Sequence, residues 1–130
     1  TPPPEALDAL AEAEAIVIGP SNPVASIGPI LAVPGLREAI AAAPAPVLAV
    51  SPIVGGAVLK GPTAAFLEWA GQPASAAGIA AMYAGLIDGI VADDDPGGSL
   101  PALRTETRLD EEIARAIVAG EILEFAASLR

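Results

Sequence analysis

Two short stretches of this 130-residue chain carry side chains that could do chemistry. The first is Gly19-Pro20-Ser21-Asn22-Pro23 with Ser26 just beyond it, and the second is Gly55-Gly56 with Lys60 downstream. Hydroxyls, an amide, an ammonium, and glycines that let backbone approach a ligand closely are groups with which proteins hold phosphates and other anions. Histidine and cysteine are absent from the chain. An imidazole base and a thiolate nucleophile are thereby excluded from its own residues, and a metal would need oxygen ligands, which suits magnesium better than zinc. No residue is assigned as general base or as metal ligand.

The elements ahead of each stretch must position it. Ala15 to Ile18 is a short, β-branched apolar run that predicts a buried strand, broken at Gly19-Pro20. Val24, Ile27, Ile30 and Leu31 then fall on one face of a short helix, so the polar turn sits near a helix start, where backbone N–H groups and the helix dipole favour anions. The same residues also suit a tight turn in which Ser21 and Asn22 bond nearby backbone and Pro23 fixes the direction of the chain. On the residues alone both readings stand. Val47 to Val50 predicts a second strand, and the second stretch follows it. Lys60, the chain's lone lysine, suits either a phosphate partner or a solvated surface position.

Helices are predicted from Pro4 or Glu5 to Ala13, Gly35 to Ala43, Pro62 to Gly71, Ala74 to Ile87, and from an Asp110 cap to the end of the chain. In the last helix Ile113, Ala116, Ile117, Gly120 and Leu123 make the predicted buried stripe, and Trp69 is expected to pack in the core or at a domain interface. Further strands are predicted at Gly89 to Ala92 and Ala102 to Thr107. Between them, Asp93-Asp94-Asp95-Pro96-Gly97-Gly98 has the composition of a solvated turn and lacks the acid spacing of a calcium loop. Strands alternating with helices argue for βαβ units and a parallel sheet, an α/β fold. Right-handed crossovers then bring the loops after Ile18 and Val50 to one edge, where they line one cleft.

Composition narrows the partners. A formal net charge of −10 with six basic residues argues against nucleic acid, whose phosphates are bound by clustered Lys and Arg. No apolar run is long enough to span a bilayer and no secretory signal pattern opens the chain, so a cytoplasmic protein without membrane partners is expected.

Gly19-Pro20-Ser21-Asn22-Pro23, Ser26-Ile27 and Pro29-Ile30-Leu31 closely resemble a signature of the 2-phospho-L-lactate transferase family of coenzyme F-420 biosynthesis, whose actinobacterial members are phosphoenolpyruvate transferases. Ser51-Pro52-Ile53-Val54-Gly55-Gly56 with Leu59-Lys60-Gly61-Pro62 is similar to the family's next signature, and Leu103 to Thr107 to its C-terminal strand. The resemblance covers essentially the whole chain but only the C-terminal portion of the family's sequence. It implies residues 1–130 as the C-terminal part of a single transferase domain, in a three-layer, Rossmann-like α/β fold with a largely parallel sheet and flanking helices, here partial.

It further implies transfer of a phospholactyl or phosphoenolpyruvyl group from a guanosine diphosphate donor to the deazaflavin Fo, releasing GMP. Magnesium assists, with its ligands expected in the absent N-terminal half. Gly19, Pro20, Ser21, Asn22, Ser26, Gly55, Gly56 and Lys60 are the implied substrate-binding residues. The chain alone is expected to be inactive, and a homodimer is compatible with the resemblance. The alternative is a non-catalytic, nucleotide- or sugar-nucleotide-binding regulatory protein of the related gluconeogenesis-factor group, whose corresponding turn is worded differently.

Overall fold

A computed structural model describes residues 1–54, 57–58, 63–105 and 112–129. In chain order these form α1 (Pro4–Glu12), β1 (Ile16–Ile18), a π-helical turn (Pro23–Ile27) running into α2 (Gly28–Leu31), α3 (Leu36–Ala42), β2 (Val47–Val50), β3 (Ile53–Val54), β4 (Ala57–Val58), α4 (Thr63–Trp69), α5 (Ala76–Met82), β5 (Gly89–Ala92), β6 (Ala102–Arg104) and α6 (Glu112–Ser128). Among the described residues no single helix is long and apolar enough to cross a membrane.

The sheet is parallel throughout, in the order β1-β2-β5-β6, with Ile18 opposite Ala49, Val50 opposite Val91 and Ala92 opposite Arg104. Side chains alternate across it. On one face Ile18, Val47, Ala49, Ile90 and Ala92 enter a core with Ile40 of α3, Leu67 of α4 and Ile79 of α5. On the other, Leu48 and Gly89 lie against Phe125 and Leu129 at the end of α6, so close that a Cβ on Gly89 would come within 3.0 Å of all three side chains. Every residue of β2 and β5 is therefore buried, the expected state of central strands covered by helices on both sides. The α/β fold with a parallel sheet flanked by helices is as predicted.

A buried ladder must satisfy its own ends. At the amino edge of the β2–β5 pair the Val47 N–H donates to Asp88 Oδ2 at 2.8 Å, while the Asp88 N–H donates to the Val47 carbonyl at 2.7 Å. At the other edge the Ser51 N–H donates to the Val91 carbonyl at 2.8 Å, and the fully buried Ser51 hydroxyl accepts from the Ile53 N–H at 3.1 Å. Both ends of the central pair are locked.

Several predicted elements need correction. The stripe Ile113, Ala116, Ile117, Gly120 and Leu123 faces outward, with Ile113 75%, Ile117 59% and Leu123 63% exposed, whereas Val118 and Ala126 are buried. Gly89 causes this, because the hollow it leaves beside Leu48 accepts Phe125 and Leu129 and so fixes which side of α6 meets the sheet. α5 is shorter than the predicted Ala74 to Ile87, since Gly85 turns the chain with φ +80° after Tyr83. α3 begins one residue after Gly35, whose φ of +91° is not helical. β6 stops at Arg104, although the Thr105 N–H still donates to the Ala92 carbonyl. Pro62 and Asp110, the expected starts of two helices, lie outside the described residues. The β3–β4 pair, antiparallel with Ile53 opposite Val58, is an addition that the sequence did not predict.

Two outcomes are expected. Asp88→Ala removes the acceptor from a part-buried Val47 N–H and should cost about 1–3 kcal/mol, read as a lower urea midpoint. Tyr83, the sole tyrosine, is buried in the core, and burial pushes its phenol up to about 12. The unfolded chain loses this proton near 10 while the folded chain keeps it, so stability should fall by roughly 1 kcal/mol per pH unit between pH 10 and 12. Ultraviolet titration of tyrosinate checks the first number and urea melts at each pH check the second.

Candidate functional site

Adjacent parallel strands lie about 4.8 Å apart. Because Ile18 pairs with Ala49, the chain leaving β1 at Gly19 and the chain leaving β2 at Ser51 emerge side by side from the carboxyl edge of the sheet, the edge at which open α/β sheets bind ligands. The first polar stretch and Ser51, four residues ahead of Gly55, are thus brought together. The turn Asp93-Asp94-Asp95 leaves β5 at the same edge.

Within the first stretch the structure is specific. Asn22 Oδ1 accepts from the Val24 and Ala25 N–H groups at 2.9 and 3.0 Å, and the Asn22 carbonyl accepts from those of Ser26 and Ile27 at 2.9 and 3.0 Å. Asn22 is therefore the cap of this turn, and the donors expected to collect at a helix start are engaged by it. The predicted single helix is a π-helical turn followed by a short α-helix. Pro29 explains the change, because it has no N–H to give the Ala25 carbonyl and its ring opposes that carbonyl; the ladder widens to i→i+5, with Gly28 N–H bonding Pro23 O. Ile30, placed on the buried face by spacing, is 51% exposed. Pro20, Ser21 and Ser26 are exposed and Gly19 and Asn22 partly so, while Pro23 is buried. Among the described residues the Ser21 and Ser26 hydroxyls have no hydrogen-bond partner, which leaves them available to a ligand.

Gly55, Gly56 and Lys60 lie outside the described residues. The helix that follows them, α4, packs against the π-helical turn. A cleft of about 310 Å³ lies between the two, lined by Val24, Ala65, Phe66 and Trp69. Trp69 is not a core residue of this chain, being 80% exposed at the end of α4. Its position in the final turn, one residue after Glu68 and two before the positive-φ Gly71, was the signal against burial. A larger cleft of about 660 Å³ opens at the amino edge beside Pro44, Gly85 and Asp88, the opposite edge of the sheet from Gly19 and Ser51, and the Asp88 carboxylate there is held by Val47.

The aspartate turn is a structural joint. Asp94 Oδ2 accepts from the Ala76 N–H at 3.0 Å, tying the turn to the start of α5, and Asp95 Oδ1 accepts from Gly97 N–H at 2.8 Å. Arg104 Nη2 donates to the Asp93 carbonyl at 3.2 Å. Among the described residues no group of three acidic side chains could share a metal ion.

The family described as 2-phospho-L-lactate transferase CofD matches residues 1–117. The chain is 44% identical to a phosphoenolpyruvate transferase of Kitasatospora aureofaciens, across 91% of this chain and 41% of that protein. It is 37% identical to the 2-phospho-L-lactate transferase of Methanospirillum hungatei, across 92% of this chain and 39% of that protein. A 37% identity to the 2-phospho-L-lactate transferase of Methanothermobacter thermautotrophicus covers 94% and 43%. The chain thus spans about two fifths of the length of the curated relatives it matches.

One outcome tests the cap. Asn22→Ala should cost about 1 kcal/mol of stability, whereas Asn22→Asp, which keeps a carboxylate oxygen for the same N–H groups, should cost little, as compared by urea melts.

Proposed function

This chain belongs to the 2-phospho-L-lactate transferase family, and from that premise we propose that it forms the substrate-binding edge of a cytoplasmic enzyme of coenzyme F-420 biosynthesis. The reaction is transfer of a phospholactyl or phosphoenolpyruvyl group from a guanosine diphosphate donor to the hydroxyl of the deazaflavin Fo. The acceptor oxygen bonds to the phosphorus that carries the lactyl or enolpyruvyl group, the bridging P–O bond breaks, and GMP leaves with the bridging oxygen. The hydroxyl proton passes to a base to which no described residue is assigned.

The observation that carries this reading is the emergence of Gly19 and Ser51 from neighbouring strands at one carboxyl edge. Phosphoryl transfer asks a protein mainly to position the reactants and offset charge. In this reading Gly19, Pro20, Ser21, Asn22 and Ser26 form one wall, with the two serine hydroxyls as donors and Asn22 holding the turn that presents them. Gly55, Gly56 and Lys60 are proposed as further substrate-binding residues, with the ammonium offsetting phosphate charge. Magnesium is proposed as the assisting ion of the whole enzyme, and none of its ligands is assigned to the described residues. The isolated chain is proposed to bind without turnover.

Calorimetric titration of the chain with GDP in the presence of magnesium tests the proposal. Saturable binding is expected, weakened about tenfold or more in Lys60→Ala, the loss of one charge-assisted contact. A folded chain that does not take up GDP would overturn the assignment of this edge to the donor.

A further inference from the structure

The cleft of about 660 Å³ at the amino edge of the sheet has no part in the function proposed for the carboxyl edge. It is lined by the start of the β2–β5 pair at Val47 and Asp88, by the connection from Ala43 to Pro46, by the turn at Gly85 and by Leu129. Three helices, α3, α5 and α6, end at or just before these residues. A helix C-terminus leaves carbonyls unpaired and carries the negative end of the helix dipole.

The polar groups of this lining are nearly all acceptors. Pro44 and Pro46 have no N–H, and the N–H groups of Ala43, Val47, Leu86, Ile87, Asp88 and Leu129 already donate within the chain. By contrast, the carbonyls of Ala43, Pro44, Ala45, Gly85 and Leu86 accept from no backbone N–H among the described residues. Asp88 is the single charged side chain of the lining, and it is exposed. Val47 engages only its Oδ2, so among the described residues Oδ1 accepts no hydrogen bond.

This chemistry selects the ligand. An anion would meet carboxylate and carbonyl oxygens, all of its own sign. A divalent metal ion is far smaller than the cleft, and among the described residues no group of three acidic side chains gathers to hold one. A guanidinium carries five N–H donors and no acceptor, pairs with a carboxylate through its planar fork, and is more weakly hydrated than an ammonium. An alkyl stem on that group finds apolar surface at Ile40, Pro44 and Leu129, and the volume is that of a small-molecule site.

We propose that the amino-edge cleft binds an alkylguanidinium cation from solution. Asp88 Oδ1 is its charge partner, and the carbonyls of the α3–β2 connection and of the Gly85 turn take its remaining donors. The site is separate from the carboxyl edge and does not depend on the transferase reading.

Arginine side chains of other proteins bear the same group, so two probes are compared: n-butylguanidinium and the blocked tripeptide Gly-Arg-Gly. Each is titrated against the full chain and followed by amide chemical shifts in nuclear magnetic resonance spectra. Saturable shifts at Val47, Gly85, Asp88 and Leu129 are expected with the free cation, and weaker binding with the tripeptide. Affinity should fall roughly tenfold or more in Asp88→Asn, whose amide oxygen still accepts from the Val47 N–H, and in Ala41→Lys, which tethers a competing ammonium at an exposed lining position. Urea midpoints close to the parent's confirm that both variants remain folded. Shifts scattered over surface carboxylates, or equal affinity in the parent and Asp88→Asn, overturn the proposal. Tighter binding of the tripeptide overturns the assignment to a free cation. Arg130 follows Leu129 directly and lies outside the described residues; binding seen only in Arg130→Ala would give the cleft to the chain's own guanidinium and overturn the proposal as well.

Discussion

Burying both faces of a parallel strand pair leaves its backbone without water, so every N–H and carbonyl of that pair must be answered by protein. In this chain the demand falls on β2 and β5, and it is met at the two places where a ladder normally fails, its ends. Asp88 reaches back across the pair to hold Val47 at the amino edge, and Ser51 closes the carboxyl edge through Val91 and Ile53. With the pair fixed at both ends, the loops leaving it are fixed in origin as well. The ordered edge on which ligand binding is proposed is a by-product of that requirement.

The strands at Val47–Val50 and Gly89–Ala92, the break at Gly19-Pro20 and the α/β class were legible because continuous apolar runs bounded by turn residues have one sensible interpretation. The face of α6 was not. That helix carries an apolar series at Ile113, Ile117 and Leu123 and another at Val118, Phe125 and Ala126, so its sequence has no unique phase, and a cavity at Gly89 on a different element decides between them. The β3–β4 hairpin escaped because strands of two residues are too short to show a period. Of the candidate site, the Gly19–Ser26 stretch could be located from its residues, but the partnership between Asn22 and the backbone of Val24 and Ala25 could not be distinguished from an anion site, since both use the same donors.

The π-helical turn shows how two modest local choices shape a site. Pro29 forbids the regular i→i+4 bond, and Asn22 supplies both a side-chain and a main-chain acceptor to the start of the turn. The widened turn lets Val24 face α4 while Ser21 and Ser26 stay in solvent.

The strand order of the sheet also bears on how the molecule is made. β1, β2, β5 and β6 sit side by side in the sequence in which they occur along the chain. Among these four, each later strand docks on the one before it, and none is inserted between two earlier neighbours. Among these four described strands, the ladder can extend one strand at a time, the later strand at the margin of the earlier.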